Sequence, residues 1–256
     1  MKINWIGIKT LFAWSAQRTL RTSTQSVIAP WTSAFLYILI FGQIIGSRVT
    51  FFEGKFSYLQ FVFPGILTLN LINSSFTQAS FSMFYQRFTS QIHEILVAPL
   101  SNFDIIVGYV CGSLFRSVMI TCGIYLLAIV FKIASISHFW QFMFYAIIIA
   151  VIFSILGIIS GLWADSWEQV SAFEIFIITP LTFLGGMFTS IDMISPKFQG
   201  IIKVNPFFYF IDGVRYSMIG VQESNPTTRF VLVISLLLVV IVWVSILFKK
   251  GYKLKT

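Results

Sequence analysis

The chain has 256 residues, 57% of them hydrophobic and only 10% charged, where soluble domains carry about 25%. That composition cannot keep a water-exposed surface wet, and the apolar runs match the roughly 20 residues that a hydrocarbon core of about 30 Å requires, so a soluble α-protein is excluded. The net charge of +8 reads as membrane anchoring rather than nucleic-acid binding, because four of the 17 Lys and Arg lie in residues 1–21 and four in 249–255.

The start, "MKINWIGIKTLFAWSAQRTLR", has charges spread through it and no small-residue cleavage site, unlike a removed signal peptide. Residues 1–22 predict a helix at the cytoplasmic interface, with Trp5 and Trp14 as interfacial aromatics and Arg18 and Arg21 near its end. Residues 23–256 read as a single domain of six spans, near 27–46, 59–82, 104–131, 139–163, 171–190 and 229–248. An even number puts both termini on one side, and the basic ends assign that side to the cytoplasm. Lys197, Lys203, Arg215 and Arg229 then fall outside, in a longer connection where the rule is less strict.

The loop 47–58 faces out and holds the chain's sole Gly-Lys pair, Gly54-Lys55. Val49 stands where a P-loop needs its first glycine and Phe56 where it needs Ser or Thr, so no nucleotide site is predicted in this chain. In span two, Asn70, Asn73, Ser74 and Thr77 follow helical spacing on one face. Such a stripe either bonds a neighbouring helix or lines a polar path.

Residues 83–103 return to the cytoplasm, and "SQIHEILVAPLSNFDII" (90–106) is more than a connector. Ile92, Ile95 and Leu96 recur at helical spacing beside His93 and Glu94, and Pro99 closes the segment. An apolar patch kept on the aqueous side calls for a groove on a partner subunit or for packing on the chain's own N-terminal helix.

Span three carries Arg116 near mid-membrane. Its Cys111 and Cys122, about 16 Å apart along a helix axis, cannot bridge each other. With His93 and His138 far apart, no metal site is predicted. "KIASISH" (132–138) is a tight outer turn and "ADSWEQV" (164–170) a tight inner one. Span five brings in Glu174, and buried ionisable groups are functional candidates by default. Arg116 and Glu174 could pair, either as glue between spans or in transport. Thr179-Pro180 and Gly185-Gly186 predict a kink or a close helix contact.

The piece 191–228 is too apolar for a free loop and is interrupted by Asn205-Pro206 and Gly213, which predicts a re-entrant or interfacial helix; a plain outer loop is the alternative. Asn205 can cap a helix whose first residue is Pro206, and Asp212 and Arg215 can pair on one helix face. Phe207, Phe208, Tyr209 and Phe210 would equally suit an interfacial aromatic belt.

Four stretches carry a family resemblance: "FVFPGILTLN" (61–70), "EILVAPLSNFDIIVGYVCG" (94–112), "TPLTFLGGMF" (179–188) and "NPFFYFIDGVRYSMIG" (205–220). With the six-span layout, the chain resembles the membrane-spanning permeases of ABC-2 type ATP-driven exporters of the bacterial inner membrane. The resemblance implies an all-α membrane protein with a coupling helix between spans two and three and an outer gate between spans five and six. It places Glu94, Ile95, Leu96, Val97, Ala98, Pro99 and Leu100 in the coupling helix, which docks into a separate ATP-binding subunit. It also implies a homodimer, with ATP and Mg bound by the partner and no hydrolysis in this chain, and it alone carries the direction of transport. It fits an Arg in this part of span three, whereas Glu174 matches no family motif. An ion-coupled secondary transporter would need more intramembrane carboxylates or repeated broken helices, and a non-transporting scaffold has no use for a coupling knob. Twenty-nine Phe name no cargo.

Overall fold

A computed structural model describes residues 3–40, 50–51, 56–133 and 135–254. The end of the first predicted span (41–46), most of the outer loop with Gly54-Lys55, and the terminal Lys2 and Lys255 lie outside the described residues.

The described chain is almost wholly helical: α1 (Trp5–Arg21), α2 (Ala29–Ile40), α3 (Tyr58–Phe88), α4 (Ile92–Val97), α5 (Asn102–Val130), α6 (Phe139–Trp163), α7 (Trp167–Phe173), α8 (Thr179–Leu184), α9 (Pro196–Val204), α10 (Pro206–Ile219) and α11 (Pro226–Lys250). The all-α expectation needs one small correction. Thr50–Phe51 and Phe56–Ser57 form an antiparallel pair with Thr50 opposite Ser57, a hairpin of β-favouring residues ahead of α3.

Among the described residues four helices, α3, α5, α6 and α11, are long and apolar enough to cross a membrane. Their starts are written in the sequence. Ser57 with Gln60 and Ser101 with Asp104 close reciprocal capping boxes, and Asn225 caps α11 ahead of Pro226. The two remaining predicted spans are broken runs. A π turn, Thr24–Ile28, leads into α2 just before Pro30, and a second, Glu174–Ile178, joins α7 to α8 just before Pro180. A proline lacks the amide that the α ladder needs, and a π turn shifts the ladder by one residue ahead of it. At Thr179-Pro180, where a kink or close contact is expected, the structure shows this π turn. Helix then stops at Leu184, short of the predicted 190, where Gly185-Gly186 turns the chain and Gly186 takes a positive φ of 80°.

The core centres on α3, which is buried on nearly all sides and packs most extensively on α6, then on α5. The α3–α6 contact depends on Gly157 and Gly161: a Cβ on either would sit 2.5 Å from a backbone oxygen of α3, Phe76 O or Ser80 O respectively. Small residues four apart let two helices touch along their backbones. Helix α1 does more than rest at an interface, since its Leu11 and Ser15 pack over Gly108 and Gly112 of α5. Helix α11 covers α6 and leaves most of its apolar surface outward.

Helix α10 is buried almost throughout, wedged between α3 and α6. Phe207 and Phe210 pack against Phe153 at 5.3 and 5.7 Å, tilted and edge-on respectively, Gly213 lies on Tyr145, and Met218 O accepts from Ser137 N at the far end of α6. The start of α10 therefore stands beside the middle of α6 and its end beside the beginning of α6. A plain loop does not describe residues 205–219.

Candidate functional site

The first region of interest is a polar cavity of about 380 Å3 lined by the two broken runs, α3 and α5. Asn70, Asn73, Ser74 and Thr77 of the predicted stripe all line it, together with Arg116 and Glu174. Helical spacing on α3 puts the four polar groups in one column. Arg116 reaches in from α5, and Glu174 enters from the π turn opposite.

The expected Arg116–Glu174 ion pair is not made. Arg116 Nε donates to Ser26 O at 3.2 Å and Nη1 to Gln78 Oε1 at 3.1 Å. Glu174 Oε2 instead accepts from Thr77 Oγ1 at 3.1 Å. Both charges stay half-buried on the cavity wall, each with neutral partners. Helix glue and cavity lining divide the stripe between them. Ser74 bonds Ser117 of α5 at 3.3 Å, and Ser75, just behind it, bonds Ser117 at 2.7 Å. Asn70 bonds back to Ile66 O, and Asn73 Oδ1 is buried with no hydrogen-bond partner among the described residues. Sequence reasoning missed Gln78, which joins Arg116 to Ser15 of α1. It stands four residues after Ser74, and the stripe's own period points to it.

The second region is a buried charge cluster at the end of α10. Asn205 caps α10, accepting from Phe207 N at 3.0 Å, while its amide donates to Leu181 O at 2.6 Å. Pro206 is the first helical residue, as predicted. The expected Asp212–Arg215 pair is replaced by two others. Asp212 pairs with Arg229 of α11 at 2.7 Å and accepts from Glu223 N at 2.8 Å and from the Ser224 hydroxyl. Arg215 donates to Gly186 O at 2.7 Å and Phe61 O at 3.3 Å, lies over the Phe61 ring at 3.9 Å, and meets Glu223 at 3.5 Å without hydrogen-bond geometry. Residues three apart on one helix do share a face, but here each found a charge of opposite sign in another element. Asp212 and Arg215 are both fully buried, so their partners come from α11 and from the loop ahead of it. Arg229 and Glu223 were not singled out as site residues from the sequence, since nothing local marks which charge on α11 or in the loop ahead of it turns inward.

The third region is the segment between α3 and α5. Helix α4 has only six residues. Ile92 is buried, Ile95, Leu96, Ala98 and Leu100 are half-buried, and His93, Glu94 and Pro99 are exposed. The apolar group left in the open is Val97, 87% exposed, with Phe88 at 66%. The inward side packs on the chain itself: Asn4 donates to Pro99 O at 3.1 Å, and Leu100 lies against Gly7 of α1. Just ahead, Arg87 donates to Gly161 O, Ala164 O and Lys253 O at 2.9–3.0 Å. Lys253 in turn meets both Asp165 oxygens at 2.6 and 2.8 Å. That bond, with the nearby guanidinium of Arg87, holds the Asp165 carboxyl below the usual range. The end of α3, the α6–α7 turn and the C-terminal segment are thus tied together one turn before α4.

Comparison with known proteins gives a consistent picture. The profile of a family described as "ABC-2 type transporter" matches residues 7–219. The chain is 35% identical over 232 residues to the inner membrane transport permease YadH of Escherichia coli, covering 90% of each chain. It is 25% identical to nodulation protein J of Rhizobium leguminosarum bv. viciae, over 87% of this chain and 85% of that one. The Rhizobium meliloti nodulation protein J is 22% identical over 85% and 82%.

Proposed function

The chain belongs to the ABC-2 type transporter family, and from that premise we propose that it is the membrane-spanning permease of an ATP-driven exporter. In this reading the four long helices and the runs 24–40 and 167–184 make six spans, with both termini in the cytoplasm. The setting is the bacterial inner membrane, as the name of the Escherichia coli relative suggests. Helix α10 is a re-entrant outer element, and Asn205, Pro206, Asp212 and Arg215 belong to a gate over the exit. The permease forms a homodimer, and a separate subunit binds ATP and Mg and hydrolyses the nucleotide. Apolar residues left outward beside the cavity, Leu36 on α2 and Phe176 and Leu184 on the fifth run, suit a second copy or lipid.

The observation that carries the reading is the polar cavity. The bundle keeps two opposite charges and three amides, Gln25, Asn70 and Asn73, around an open space flanked by the two broken runs. Intramembrane polar groups are expensive to retain, and non-helical backbone at membrane depth is tolerated where it lines a cavity. Energy would enter through residues 94–100, with the exposed Val97 and Glu94 meeting the ATPase and the half-buried Ile95 and Leu96 carrying the push inward.

The test is co-purification from detergent with the ATPase encoded nearby. Wild type should retain it, and Val97→Asp should lose it while the permease remains monodisperse. Leu96→Asp should also lose it, with a lowered melting temperature because Leu96 packs inward. If wild type never retains an ATPase, the exporter reading fails.

A further inference from the structure

A fourth region lies apart from the cavity and the outer cluster and meets the docking segment only at Gln91. Between the C-terminal end of α1 and the cytoplasmic end of α3 lies a notch of about 350 Å3, walled by Trp14 and Tyr85 and holding Arg18, Arg21, Gln17 and Gln91. No carboxylate lines it among the described residues. The Arg18 guanidinium lies 5.0 Å from the Tyr85 ring and 5.8 Å from the Trp14 ring, so two aromatic faces fix its plane. Its Nη1 is buried with no hydrogen-bond partner among the described residues. A buried donor without an acceptor is destabilising, and the same side chain lines a space large enough for a headgroup.

We propose that this notch binds the phosphate of an anionic membrane lipid. Two guanidinium groups one helical turn apart present the forked donors that phosphate oxygens accept best, and the amides of Gln17 and Gln91 add neutral donors. Helix α1 also leaves Trp5, Ile6 and Leu20 exposed, as a helix lying in the headgroup region does, so its Arg pair sits at the depth where lipid phosphates lie. A soluble phosphate compound would offer the same chemistry, and the experiment separates the two. Because Gln91 immediately precedes α4, occupancy would bridge α1 to the start of the docking segment.

The inference rests on the membrane placement proposed above, but its test needs no ATPase. The full-length permease, purified alone, is incubated in mixed micelles of phosphatidylglycerol and phosphatidylcholine, and retained lipid is counted by mass spectrometry. Wild type should enrich phosphatidylglycerol. Arg18→Gln should lower the enrichment about tenfold, the value of one charge-assisted contact. Gln17→Glu should do the same, and since it leaves both Arg in place it guards against misfolding of the first variant. Lys9→Gln removes an equal charge from an exposed site on the same helix and should behave as wild type. Equal loss in Lys9→Gln, or no loss in the notch variants, would overturn the proposal. Displacement of the lipid by millimolar inorganic phosphate would overturn the lipid assignment in favour of a soluble phosphate.

Discussion

Arg215 and Asp212 are the residues whose surroundings differ most from what their neighbours in sequence suggest. Each is a fully buried charge, and each is held by groups from other elements. Asp212→Asn should therefore be severe, since it leaves Arg229 buried without its counter-charge, a loss of about 3–5 kcal/mol where one partner of a buried pair is removed. Thermal unfolding in detergent should register it as a clear drop. Replacing both members, Asp212→Leu with Arg229→Met, should recover much of the loss, because an apolar pair of similar volume often substitutes for a buried ion pair. A double variant as unstable as the single one would mean that Asp212 acts mainly through the backbone amides of Glu223 and Ser224. Local spacing could mark Asp212 and Arg215 as able to pair on one helix face, yet the pairing each makes is long-range. Asp212 to Arg229 spans 17 residues, and no periodicity reports on it.

Among the elements, those governed by composition and caps were legible. Span four was expected at 139–163 and α6 runs over those residues, because a turn signal on each side brackets an unbroken apolar run. The stripe on span two was legible for a similar reason, as four polar residues at helical spacing stand out against apolar neighbours. The fifth span was harder. Its expected end at 190 overshoots the observed stop at Leu184, since the apolar residues beyond Gly185 and Gly186 fill a turn rather than extend a helix. The α3–α6 contact went unseen although Gly157 and Gly161 are plain in the sequence, because spacing alone does not say which helix receives a pair of glycines. Gly161→Val should destabilise the protein by more than about 2 kcal/mol, as overpacking against backbone leaves nothing to yield. Gly200→Val, with open space around it, should stay within about 0.5 kcal/mol. Equal melting temperatures for the two variants would show that the helices separate freely.

At the scale of the whole molecule, the tie between Arg87, Asp165 and Lys253 joins distant parts of the chain at the end of the bundle nearest α4. Asp165 has a carboxyl lowered by its Lys253 hydrogen bond, so its share of the tie is complete above the ordinary carboxylate range near about 4. It is lost as pH falls through the lower folded-state value. Hydrogen exchange at residues 251–254 should accelerate over that window relative to Asp165→Asn, whose tail should already be loose at neutral pH. A tail equally protected in both proteins would assign its anchoring to the Arg87 contact alone. Composition made the membrane class legible from the start, and the notch at Arg18 was not, because it forms only when α1 and α3 come together.

The π turn at Glu174–Ile178 also changes the phase of the helix that contains it. In an unbroken α-helix Glu174 would share its face with residue 178, whereas the cavity is lined by Glu174, Thr179 and Phe183, at intervals of five and then four. The π turn is equivalent to one inserted residue, and a residue is worth about 100° of rotation. Deleting one residue from 175–178 would return the ladder to ordinary register and turn the carboxylate away from Thr77 by about that angle. The acidic wall of the cavity is set by chain length within a single turn, independently of which apolar residues that turn contains.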